Sequence, residues 1–193
     1  PKMSREIMDV LEKINEEIER VDNYGGFLLI RTLKPSDKIL SVPDEHLIEN
    51  IILSIYHHWR GEEEPNGLTV GMSSSNNYGK SKSWILTNHK FYGFFDNSKI
   101  RARHYKQITF DEFYTQLTSA IESETDNDNT FIQLSKNVIN KKLRRSSTFY
   151  VLDLDQEKNK DLVAEWQVYD FFYAFISVDK ENNCIDLIEF GLD

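Results

Sequence analysis

The chain has 193 residues, 39% hydrophobic, 12% aromatic and 28% charged, a balance that excludes disorder over most of its length and can fill a core. Its formal net charge of −9 repels phosphate backbones, so general nucleic-acid binding is not expected. The one cysteine, Cys184, excludes an internal disulfide, and no apolar run reaches the roughly 18 residues of a membrane span.

Ile7, Met8, Leu11, Ile14, Ile18 and Val21 recur at three- and four-residue steps, which predicts an amphipathic helix from Ser4 to Asn23, stopped at Gly25-Gly26. Phe27 to Ile30 then reads as a short buried strand, and Lys34-Pro35-Ser36-Asp37 as a turn. A second helix is expected near Pro43, with Ser41 and Asp44 spaced as its cap. Leu47, Ile48, Ile51, Ile52, Ile55, Tyr56 and Trp59 give it a broad apolar face that ends before the acidic loop Glu62-Glu63-Glu64.

Sheet follows. Leu68 to Met72 is a candidate strand before the polar loop Ser73 to Gly79. Trp84 to Thr87 and Phe91 to Phe95 read as a hairpin, and Ile100 to Lys106 as the next strand. Thr109-Phe110-Asp111-Glu112 is a capping box opening a helix through Phe113, Leu117 and Ile121, and Glu122 to Asn129 is an acidic loop. Phe131 to Leu143 has helical spacing and ends in Lys141-Lys142-Leu143-Arg144-Arg145, where cations suit a helix C-terminus. Strands are expected at Thr148 to Leu152, Phe171 to Val178 and Ile185 to Phe190, the last two joined by a turn at Asp179 to Asn183. The fold class is therefore α+β. A mainly antiparallel sheet of six to seven strands packs with three to four helices, in a single domain spanning 1–193.

Familiar catalytic motifs are missing. Ser73-Ser74-Ser75 lacks the GxSxG elbow, and Gly71, Gly79 and Lys80 do not make GxxxxGK[ST]. His57 and His58 point about 100° apart on a helix, His46 lies three turns away, and no HExxH or zinc spacing occurs, so these read as helix-surface histidines. Cys184 has no His partner evident in the sequence and reads as a small packed residue. No cofactor and no metal are expected.

The acids of the last third carry the functional reading. Asp153 and Asp155 alternate around Leu154, so in a strand their carboxylates share a face, and Asp170, Asp186 and Glu189 lie on or beside the final hairpin. With Tyr169 and Tyr173 they form a candidate acidic, tyrosine-bearing surface for a protein partner, since Tyr favours interfaces. The alternative use of the same carboxylates is a divalent metal site in an enzyme acting on a phosphorylated or nucleotide substrate.

The run from Trp84 to Tyr92, with Ile100 and the capped helix start at Ile108 to Phe113, resembles a pattern of bacterial PH-like domains. That resemblance implies a lipid-headgroup module with a basic pocket around Arg101, Arg103 and Lys106. In general character the small, acidic, aromatic-rich chain is similar to bacterial toxin-immunity proteins. The function expected is a protein-binding module of immunity or inhibitor type, neutralising a basic partner, with no nucleic acid and no membrane span. The chain opens Pro1-Lys2-Met3-Ser4 without an apolar leader, and a cytoplasmic location is the default expectation.

Overall fold

The computed structural model describes residues 14–23, 26–36, 38–50, 91–92, 95–96, 99–152 and 171–192. In chain order these form β1 (Ile14–Asn23), β2 (Gly26–Pro35), α1 (Asp44–Asn50), β3 (Phe91–Tyr92), β4 (Phe95–Asp96) and β5 (Tyr105–Ile108). Then come α2 (Phe110–Glu124), α3 (Asn129–Lys142), β6 (Thr148–Leu152), β7 (Phe171–Asp179) and β8 (Cys184–Leu192). Six strands make one antiparallel sheet in the order β1-β2-β8-β7-β6-β5, while β3 and β4 pair separately. With the three helices this is the α+β arrangement expected.

The helices start where side chains satisfy their open backbone donors. At α2, Thr109 Oγ1 accepts from the Glu112 N–H at 3.2 Å, and Glu112 returns the contact by accepting from the Thr109 N–H at 2.7 Å. At α3, Asp128 accepts from the N–H groups of Thr130 and Phe131. Between them, Asp126 and Asn127 sit at φ 49° and 59°, a left-handed pair that short polar side chains tolerate. Helix α2 presents Phe113, Leu117, Ala120 and Ile121 inward, and α3 presents Phe131, Ile132, Ser135 and Ile139.

Both faces of the sheet are covered. On the face under α2 and α3, Leu28, Ile30, Phe149, Phe175, Ile188 and Phe190 join the helical side chains in one core. On the opposite face, Leu29, Leu33, Phe172, Ala174, Ile176, Ile185 and Leu187 pack with Ile39, Leu47, Ile48 and Ile100 in a second. Alternate residues of each strand serve the two cores, so β7 reads as a continuous apolar run instead of alternating.

The helix expected from Ser4 to Asn23 is corrected over Ile14–Asn23, which is a strand paired along its whole length with β2. Ile18 packs into one core and Val21 into the other, a division that strand alternation allows and a helical stripe does not. The pairing also supplies β2, apolar and buried, with hydrogen bonds along that edge. A second correction falls at Ile100 to Lys106, where a 3-10 turn at Ala102–His104 delays the strand to Tyr105. Ser4 to Lys13, the second helix beyond Asn50, the strand at 68–72, the loop at 73–79 and the first hairpin arm at 84–87 lie outside the described residues. His57 and His58 lie outside them as well.

Candidate functional site

Of the residues expected to form the acidic surface, Asp153, Asp155, Tyr169 and Asp170 lie outside the described residues. Asp186 and Glu189 are inside the protein, with relative exposures of 3% and 2%. They also face opposite ways. Asp186 shares its side of β8 with Ile188 and Phe190 under the helices, whereas Glu189 shares the other side with Leu187, toward Arg31 and the second core. Two carboxylates on opposite faces of one sheet cannot ligate a common ion, and neither adds to an exposed acidic surface. Among the described residues no group of three or more His, Cys, Asp or Glu is placed to hold a metal.

Tyr173 remains at the margin of the helix-side core. Its ring stacks on Phe190 at a centroid distance of 6.1 Å, and Phe190 in turn meets Phe131 at 6.4 Å. Partial burial pushes the Tyr173 phenol up, and the neighbouring Glu124 carboxylate pushes it further. Two residues earlier on the same sheet face, Phe171 is 38% exposed. Glu124 closes α2, and the acidic turn that follows carries the exposed Asp126 before Asp128 caps α3. Glu124 thus reaches Tyr173 at this end of the sheet, with Phe171 two residues before Tyr173 on the strand and Asp126 two residues after Glu124 in the turn. The sequence predicts an acidic loop over Glu122 to Asn129; the structure extends α2 through Glu124 and begins α3 at Asn129, so the loop is a turn over 125–128. What links that loop to Tyr173 is the antiparallel packing of α2 and α3 along the sheet, which no local pattern encodes.

The basic cluster lies at the opposite end of α3 and is already engaged. Lys142 meets Glu17 at 3.2 Å and Glu19 at 3.4 Å, and Lys141 meets Glu19 at 3.5 Å. Arg144 lies 3.6 Å from Asp179, while Arg145 meets Asp111 at 2.7 Å with its guanidinium over the Phe110 ring. These pairings dock the C-terminal turn of α3 onto β1 and onto the start of α2. Paired with acids of its own chain, the cluster offers little positive field to a polyanion.

A further constellation binds the segment after β2 to the β7–β8 turn. Asn183, at φ 53°, accepts from the Ile39 N–H at 2.8 Å and donates to the Pro35 carbonyl at 2.8 Å. Lys180 donates to the Val42 carbonyl at 2.9 Å and meets Asp44 at 2.6 Å; Asp44 also accepts from the Tyr150 hydroxyl at 2.6 Å. Burial and the hydrogen bond to Asp44 hold the Tyr150 phenol well above its ordinary range. Cys184 is half-buried, and its thiol is pushed up to about 11 by desolvation and by Asp186 and Asp179, the reverse of an activated nucleophile.

No protein-family model matches the chain, and no curated protein matches it in sequence. Two crystal structures of citrus MAF1, in space groups C 2 2 21 and P 31 2 1, are similar at a distance. The first is 11% identical with a TM-score of 0.39, over 97% of this chain and 95% of that chain. The second is 12% identical with a TM-score of 0.38, over 97% and 96%. Likeness at that level carries no statement about function. No helix among the described residues is long and apolar enough to cross a membrane.

Proposed function

We propose that the chain is a protein-binding module, of inhibitor or immunity type, that engages a basic partner through the acidic, aromatic-bearing end of its sheet. The observation that carries the reading is the exposed Phe171 beside the half-buried Tyr173 and Glu124, under a turn that adds Asp126. An aromatic anchor beside carboxylates suits a partner that offers both apolar surface and Lys or Arg. The net charge of −9 gives that end a long-range field of the same sign, which speeds encounter with a cationic protein and is screened by salt.

The test is affinity capture from the host lysate with tagged wild type and with a double variant, Glu124→Lys with Asp126→Lys. One stoichiometric, basic partner is expected with the wild type and at least tenfold less of it with the variant. Equal recovery of that partner by both proteins contradicts the reading.

A further inference from the structure

A polar row runs across the middle of the sheet under the C-terminal half of α3. Strand register places Glu17, Thr32, Asp186 and Ser177 side by side on β1, β2, β8 and β7. Thr32 Oγ1 donates to Asp186 Oδ1 at 2.6 Å, and Ser177 Oγ donates to Oδ2 at 3.2 Å. Ser177 is fully buried and Thr32 nearly so. Asp186 therefore bridges three adjacent strands from inside the core.

The surroundings make this carboxylate costly to keep ionised. An ionised carboxylate has about four acceptor sites, and two hydroxyl donors leave it under-solvated in a site closed to water. Among the described residues no cation stands within ion-pair distance of it. The groups that face it are mixed in sign. From β7 comes the buried Asp179, from β8 the Cys184 thiol, from β2 Lys34, and from β1 Glu17 and Glu19. Helix α3 adds Lys142, which is committed to Glu17 and Glu19, and Arg144 follows, directed at Asp179. Burial is the largest influence and favours the neutral acid; Asp179 adds to it, while the two hydroxyl bonds and Lys142 oppose it.

We propose that Asp186 is a proton-operated latch: ionised at slightly alkaline pH and weakly held there, it takes up a proton in mildly acidic solution and tightens the β2–β8–β7 seam beneath α3. The hydroxyls permit the exchange, because a Ser or Thr can accept from the carboxylic acid as readily as it donates to the carboxylate. Desolvation carries the Asp186 carboxyl up to about 6, from an ordinary value of 3.8. Between those two pH values the folded chain holds a proton that the unfolded chain has lost, so folding takes up a proton there. Stability from this group rises as the pH falls through the folded value, and the burial penalty is fully present above it. This is the reverse of the usual surface carboxylate, and it sets Asp186 apart from Glu17, which its lysine partners hold below the ordinary range.

The test compares wild type with Asp186→Asn by urea denaturation at pH 7.5 and at pH 5.0, alongside a carboxyl carbon-13 titration of Asp186 in the wild type. The variant carries a neutral group at every pH. It is expected to have the higher midpoint at pH 7.5, with the gap to wild type shrinking or closing at pH 5.0, and the Asp186 carboxyl is expected to titrate near pH 6. Every other titratable group is common to the two proteins and cancels in the comparison between them. A gap that is the same at both pH values, or a carboxyl that titrates near 4, overturns the proposal. Should the variant fail to fold, the titration on wild type decides alone.

Discussion

Phe113 sits where three aromatic rings meet, stacked on Phe149 at 4.6 Å and edge-on to Phe175 at 5.0 Å, with no exposed surface. It joins α2 to β6 and β7, so its removal empties a site bounded by rigid rings that cannot collapse. Phe113→Ala is expected to lower stability by about 3–5 kcal/mol, read from the urea midpoint and slope. A loss under about 1 kcal/mol would mean that α2 is not packed there. At this scale the sequence was partly legible. The helical spacing of Phe113, Leu117 and Ile121 marked the inward stripe correctly. The burial of Asp186 and Glu189 was harder to see, because acids on a strand usually mark its wet face. The readable clue is on the neighbouring strand: Phe171 to Val178 is apolar without alternation but for Ser177, so both faces of β7 are covered, and its hairpin partner shares those faces.

Among the elements, α2 and the β7–β8 hairpin were the most legible, since each is specified by local chemistry. The capping box at Thr109 and Glu112 fixes the start of α2, and Thr109→Ala is expected to cost about 1 kcal/mol in the same denaturation assay. The hairpin is held by close packing as well as by register. Gly191 lies between Phe27 and Phe172, and a Cβ there would stand 3.0 Å from the Phe27 ring. Gly191→Val is expected to lose about 1–3 kcal/mol through displacement of that ring, with a smaller loss for Gly191→Ala. A neutral Gly191→Val would show that the rings are not seated on the glycine. Strand β1 carries a helical pattern in its sequence for a physical reason. Ile14, Ile18 and Val21 suit one helical face, and Glu and Arg between them are good helix formers. Ten residues of pairing with β2 outweigh that local preference.

For the whole molecule, charge is arranged along the axis of α3. Its C-terminal cations are tied to Glu17, Glu19 and Asp179, while its N-terminal end opens from an acidic turn. Lys142→Met is expected to cost no more than about 1 kcal/mol at low ionic strength, with the gap to wild type narrowing in 1 M salt. A gap that widens with salt would contradict an ion-pair role. Both charged ends are readable in the sequence, but the ion pairs are not, because the acids that meet the basic cluster come from β1, from the β7 terminus and from the start of α2. We propose the end bearing Tyr173 as the place where a partner docks. Hydrogen–deuterium exchange of the free protein and of the captured complex tests it most directly. Slowed exchange over the α2–α3 turn and the first residues of β7, with none at the C-terminal turn of α3, is the predicted footprint. Protection confined to the segment between β2 and α1 or to the basic cluster, with the Tyr173 end unchanged, would contradict it.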